Sequence, residues 1–253
     1  MRARRCLFEP GAARRLPLFA RNGTAAHADE AAVRAVLDSG TNFIDTADVY
    51  GGGRAEEIIA EVLDEEDPDE RIYVATKAGR GLSPHEADQY THENLEGEID
   101  ASRDRLGVDS LDLLQLHCPP TEAYYQPETF EALAALQGAG KIDAYGVSVE
   151  TVEEASKAIE YPGVETVQII FNMFRQRPAE LFFEEAKRRD VGVIVRVQLA
   201  SGLLADIPFP ERRRAVLSAR AATVDYDARR TNDRRDGRHR QRRELDRGRA
   251  RRS

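Results

Sequence analysis

Apolar residues recur along this chain in two alternating rhythms from about residue 29 onward. Helix-like spacing places Val33, Val36 and Leu37 on one face of Asp29 to Asp38. It does the same for Ile58, Ile59, Val62 and Leu63 over Arg54 to Leu63, and for Leu95, Ile99 and Leu106 over Glu93 to Leu106. Further helices are predicted over Thr129 to Leu136, after the Thr151 and Glu154 capping-box pattern, and from Pro178 to the basic Lys187, Arg188 and Arg189. Between them lie short, nearly continuous apolar runs that read as buried strands: Asn42 to Asp45, Arg71 to Thr76, Leu111 to Leu116, Asp143 to Val147, Glu165 to Phe171 and Val191 to Val197.

Six strands at intervals of 22 to 40 residues, separated by helices, predict an α/β domain with a parallel sheet. The expected architecture is a (β/α)8 TIM barrel with six of its eight strands recognisable. The organisation expected is a poorly ordered segment over 1–28, the partial barrel over 29–206 and an Arg-rich tail over 207–253. In the flanks, Leu16 to Ala20 alone reads as a short strand. Residues 212 to 253 offer Val216, Leu217, Val224 and Leu245 as their large aliphatics, too little apolar area to offset chain ordering.

Charge sharpens that partition. Residues 29–208 carry 37 acids against 15 bases, whereas residues 1–28 hold six bases and one acid, and residues 209–253 hold sixteen bases and seven acids. The acidic middle, with four lysines in the whole chain, predicts a halophile-like surface kept solvated by self-repulsion. The abrupt change on each side predicts flanks translated out of frame, which the neighbouring reading frames of the gene would test. Arg238 to Arg252 is a basic run without interleaved aromatics, so nucleic-acid binding is not expected. No apolar stretch approaches a membrane span. Cys6 and Cys118 give neither a disulfide framework nor a metal-ligand spacing, and a reducing, cytoplasmic setting is expected.

The candidate chemistry gathers at strand ends. Asp45, Lys77 and His117 each follow an apolar run, and Tyr50 lies just beyond the first. In a parallel barrel those ends converge on one face, where such folds hold their active sites. Gly51, Gly52 and Gly53 lack the Walker lysine and the dinucleotide spacing, so they read as a turn shaping the mouth of the site.

The stretches NFIDTADVYGGG (42–53), VATKAG (74–79), LDLLQLH (111–117), YGVS (145–148), VQIIFN (167–172) and LASGL (199–203) resemble the aldo-keto reductase family in order and approximate spacing, over residues 29 to about 206. The resemblance implies hydride transfer between NADP(H), or NAD(H), and a small-molecule carbonyl or alcohol, without metal. It implies Tyr50 as general acid, Lys77 beside it lowering its pKa, Asp45 holding the lysine, and His117 directing the substrate oxygen. Cofactor contacts are implied for Ser148, Gln168 and Asn172 at the carboxamide, and for Arg196, Leu199 and Ser201 along the nicotinamide and pyrophosphate, with Arg196 standing where many relatives stack a tyrosine. Two other outcomes are carried forward: a non-catalytic, nucleotide-binding regulatory subunit, and an inactive truncated reductase.

Overall fold

Strand and helix alternate without interruption in a computed structural model that describes residues 26–204 except residue 69. The expectations for the N-terminal segment up to residue 25 and for the tail from residue 205 lie outside the described residues. The chain divides into two units at Arg196/Val197, the first carrying every strand among the described residues.

Six strands are present among the described residues: β1 (Phe43–Asp45), β2 (Tyr73–Ala78), β3 (Leu111–His117), β4 (Ile142–Ser148), β5 (Val164–Ile170) and β6 (Gly192–Arg196). Each pairs in parallel with the next, in the order β1-β2-β3-β4-β5-β6, giving a curled portion of a (β/α)8 barrel. The helices are α1 (Ala26–Asp38), α2 (Arg54–Glu66), α3 (His92–Leu106), α4 (Pro127–Gly138), α5 (Val152–Ala158), α6 (Arg177–Leu181) and α7 (Phe183–Arg188).

Period-two alternation sends each strand's side chains to two places. Ile44, Val74, Leu114, Leu116, Val147 and Val167 belong to the main core, together with Ile58, Leu95, Ile99 and Leu133 from the helices. The opposite faces carry a second, smaller cluster of Ala75, Leu113, Ala144 and Ile194, with Phe43 packed against it. Two residues further along the same strand faces come Asp45, Lys77, Gln115, Gly146 and Arg196, so the apolar layer is a floor beneath polar side chains at the strands' C-terminal ends.

Most boundaries shift from the expected ones by one to three residues, and two differences have a clear physical cause. β2 runs on through Lys77 to Ala78 rather than stopping at Thr76, because Lys77 is 1% exposed and its backbone pairs in register with Gln115. The helix expected from Pro178 to Arg189 breaks into α6 and α7 at Phe182, which is fully buried and adopts φ −123°, ψ −40°. Seating that aromatic ring in the core outweighs one continuous helical turn.

Candidate active site

β1, β2 and β3 bring three polar groups to adjacent positions. The Lys77 Nζ donates to Asp45 Oδ2 at 2.8 Å and to the Thr46 carbonyl at 2.6 Å. Asp45 and Lys77 side chains are both 1% exposed, so the pair is shielded from water on all sides. Burial of two charges is tolerated only when the remaining lone pairs are also met. Here Gln115 Nε2 and Gln168 Nε2 donate to the other carboxylate oxygen, at 3.1 and 2.9 Å.

Tyr50 reaches this group from the turn Tyr50–Gly53, which follows β1 and leads into α2. That turn is tied to β2 by Asp48 N–H donating to the Lys77 carbonyl at 3.3 Å, and it closes on itself through Tyr50 N–H donating to the Ala47 carbonyl at 3.0 Å. The Lys77 ammonium lies 5.5 Å from the Tyr50 ring centre. The His117 ring meets Tyr50 edge-on, 5.9 Å between centres and 85° between planes. The four expected catalytic residues are therefore gathered in one place.

Electrostatics differ from the expectation at one point. Burial, reinforced by the Asp45 carboxylate, pushes the Tyr50 phenol up to about 12, where a lowered value was expected. The reason is geometric: both short contacts of the Lys77 ammonium go to Asp45 and the Thr46 carbonyl, leaving desolvation as the larger effect at the phenol. Burial first, and the Lys77 charge second, push His117 down to about 3, so its imidazole is neutral near pH 7. Its Nδ1 is buried without a hydrogen-bond partner, a donor or acceptor in reserve.

β4 and β5 extend the network sideways. Ser148 Oγ donates to Gln168 Oε1 at 2.9 Å, so Ser148, Gln168 and Asp45 form one hydrogen-bonded chain. At the end of β6, Arg196 Nη2 donates to the Val149 carbonyl at 2.9 Å and approaches Cys118 Sγ at 3.7 Å, while its Nε is buried without a partner. In the loop after β5, the Asn172 carboxamide oxygen accepts from Phe174 N–H at 2.9 Å. Leu199 and Ser201 belong to the second unit: Leu199, 57% exposed, precedes a short 3-10 turn over Ala200–Gly202, in which Ser201 has φ 57°.

Three contributors were not singled out from sequence. Gln115 was readable in principle, being a polar residue inside an apolar strand at the same alternation as His117. Glu56, in the first turn of α2, is fully buried and accepts from Thr76 Oγ1 and Arg105 Nε. Asp48 is pushed up to about 7, by burial first and by Glu98 second. Among the described residues, no cluster of three or more His, Cys, Asp or Glu is arranged to hold a metal, and no helix is long and apolar enough to cross a membrane.

Comparison with known proteins gives a consistent neighbourhood. The profile of the Aldo/keto reductase family matches residues 19–225. The aldo-keto reductase YhdN of Bacillus subtilis is 31% identical over 175 residues, covering 68% of this chain and 52% of YhdN. Among solved structures, the holo form of aldo-keto reductase AKR11C1 from Bacillus halodurans superposes with a TM-score of 0.65 at 28% identity, covering 75% of this chain and 63% of that one. An aldo/keto reductase from Klebsiella pneumoniae in complex with NADP and acetate superposes with a TM-score of 0.62 at 24% identity, covering 76% and 66%. The chain thus spans about half the length of YhdN and under two thirds of AKR11C1.

Proposed function

The chain belongs to the aldo/keto reductase family, and on that premise we propose that it reduces a small-molecule aldehyde or ketone with NADP(H), Tyr50 acting as general acid. The observation that carries the reading is the convergence of the Tyr50 ring with Lys77 and His117 above the shielded Asp45–Lys77 pair.

The residues at the ends of β4, β5 and β6 suit a nicotinamide dinucleotide. Ser148 and Gln168 offer a hydroxyl and an amide side by side for a carboxamide, and the buried, unpartnered Nε of Arg196 is a donor awaiting an acceptor. Asn172 completes the proposed contact set within the first unit. When bound, the nicotinamide supplies the hydride.

The chain's own part is proton delivery and orientation. A phenol pushed up to about 12 stays protonated throughout the neutral range, the state required of an acid that gives its proton to a nascent alkoxide. As negative charge develops on the substrate oxygen, the Lys77 ammonium, fixed by Asp45 and the Thr46 carbonyl, stabilises the phenolate forming beside it. The neutral His117 imidazole offers a directed hydrogen bond to the same oxygen without competing for the proton.

The test is turnover of a generic aldehyde with NADPH, together with NADPH titration by its own fluorescence. Tyr50→Phe is expected to lower kcat by roughly 10²–10⁴-fold, the contribution of a positioned acid, while NADPH affinity stays unchanged. Equal turnover by the variant would remove Tyr50 from the role assigned to it. Binding without turnover in the unmodified chain would favour the regulatory-subunit reading instead.

A further inference from the structure

Helix α3 grips both segments that carry the proton donor and its cationic partner. Arg105 Nε donates to Glu56 Oε2 at 2.6 Å, and Arg105 Nη2 donates to Ser102 Oγ at 3.2 Å. The second Glu56 oxygen accepts from the hydroxyl of Thr76, the residue before Lys77 in β2. Two turns before Arg105 on α3, Glu98 accepts from the Gly79 N–H, two residues beyond Lys77.

The same arginine also lies against the Tyr50 turn. Gly53 has φ +100°, and a Cβ built there would sit 2.7 Å from Arg105 Cδ and 2.9 Å from its Nε. A Cβ there would push the Arg105 side chain aside, and the positive φ itself favours glycine. Gly53 is three residues from Tyr50, and the Tyr50 carbonyl accepts from Arg54 N–H across the turn. Glu56 is 0% exposed, so its charge cannot shift to water when the geometry slips. A displacement of the turn away from β2 would separate Glu56 from Thr76 or from Arg105. The pair therefore fixes where the turn sits relative to Lys77.

We infer that Arg105 and Glu56 are positioning residues that set the Tyr50 turn against Lys77, an inference that rests on the assignment of Tyr50 as proton donor. A pair that served stability alone would leave the tyrosine's surroundings untouched wherever the fold survives.

The experiment uses the full chain with ring-13C tyrosine, the Tyr50 resonance being assigned by its loss in Tyr50→Phe. Each variant is followed by NMR titration, circular dichroism, and kcat and KM for an aldehyde with NADPH. Gly53→Ala and Arg105→Met are expected to move the Tyr50 resonance and to lower its titration midpoint toward the ordinary value of about 10. kcat is expected to fall on the order of 10²-fold, as for a misplacement of about 1 Å, with KM changed less than about two-fold. Arg105→Lys keeps the charge opposite Glu56 and should recover part of both readouts. Arg71→Met, which removes a pair with Asp112 at the opposite end of the strands, should move neither.

A folded Gly53→Ala protein with an unchanged Tyr50 resonance and midpoint overturns the inference. If Arg105→Met fails to fold, Gly53→Ala and Arg105→Lys decide the matter, since both retain the opposing charges. A Tyr50 resonance that moves as expected in a chain without turnover upholds the positioning role and removes the catalytic reading.

Discussion

At the scale of single residues, the sharpest consequence lies in the buried Asp45–Lys77 pair. Removing only the cation strands a carboxylate that is 2% exposed. Lys77→Met is therefore expected to cost about 3–5 kcal/mol of unfolding free energy in urea, and adding Asp45→Asn should return part of that loss. Asp48 makes a prediction in pH. Its folded pKa is raised from 3.8 to about 7, so the favourable contribution is present below pH 3.8 and lost as pH rises toward 7. Asp48→Asn should match the unmodified chain near pH 4 and exceed it above pH 7, by on the order of 1–3 kcal/mol once partial exposure is allowed for. His117 acts in the opposite sense: lowered to about 3, it makes the fold lose stability as pH falls from 6.5 toward 3. A profile of the Asn variant that runs parallel to the unmodified chain at every pH would contradict the Asp48 argument. The residues of the site were legible because Asp45, Lys77 and His117 interrupt apolar runs. The direction of the Tyr50 shift was not, because it depends on where the lysine's hydrogen bonds go, and strand register decides that.

At the scale of elements, strands were legible to within about two residues because runs buried on both faces leave little ambiguity, as in Leu111–His117. The α6/α7 break was not, since an apolar Phe182 fits a continuous amphipathic helix equally well on paper; only the depth of its seat in the core distinguishes the two. The capping box of α5 was legible and is complete: Thr151 Oγ1 accepts from Glu154 N–H at 3.2 Å, and Glu154 Oε2 accepts from Thr151 N–H at 3.1 Å. Glu154 does more than its cap position requires, because it also accepts from Glu150 N–H at 3.0 Å and from Thr121 Oγ1 at 2.9 Å. Thr151→Ala should cost about 1 kcal/mol, the ordinary value of an N-cap. Glu154→Ala should cost more, since it leaves two further polar groups without partners. Thermal unfolding of both variants orders them, and an equal cost would show that the Thr121 and Glu150 contacts contribute nothing.

At the scale of the whole molecule, the excess of acids sets the expected response to salt. With 37 acids against 15 bases over residues 29–208, a described cation is repeatedly shared between carboxylates. Lys141 Nζ lies 2.8 Å from Glu96 and 2.6 Å from Asp100, and Arg54 Nη1 lies 3.0 Å from Glu57 and 2.8 Å from Glu61. Such exposed pairs are worth about 0–1 kcal/mol each and weaken as salt is added. Repulsion among the unpaired acids weakens too, and here the acids are the majority. The last turn of α2 illustrates the balance: Arg34 of α1 pairs with Glu65 and Glu66, while Asp64 adds a third acid to a helix C-terminus with no basic residue of its own, opposing the helix dipole. Raising salt from about 0.1 M to 1 M shortens the screening length from about 10 Å to about 3 Å, which relieves such clusters while close pairs retain part of their attraction. The melting temperature is therefore expected to rise with potassium chloride into the molar range. Asp64→Asn, which leaves the Arg34 pairs intact, should raise it at low salt and reduce its salt dependence. A melting temperature flat or falling with salt would overturn the halophile-like reading of its composition.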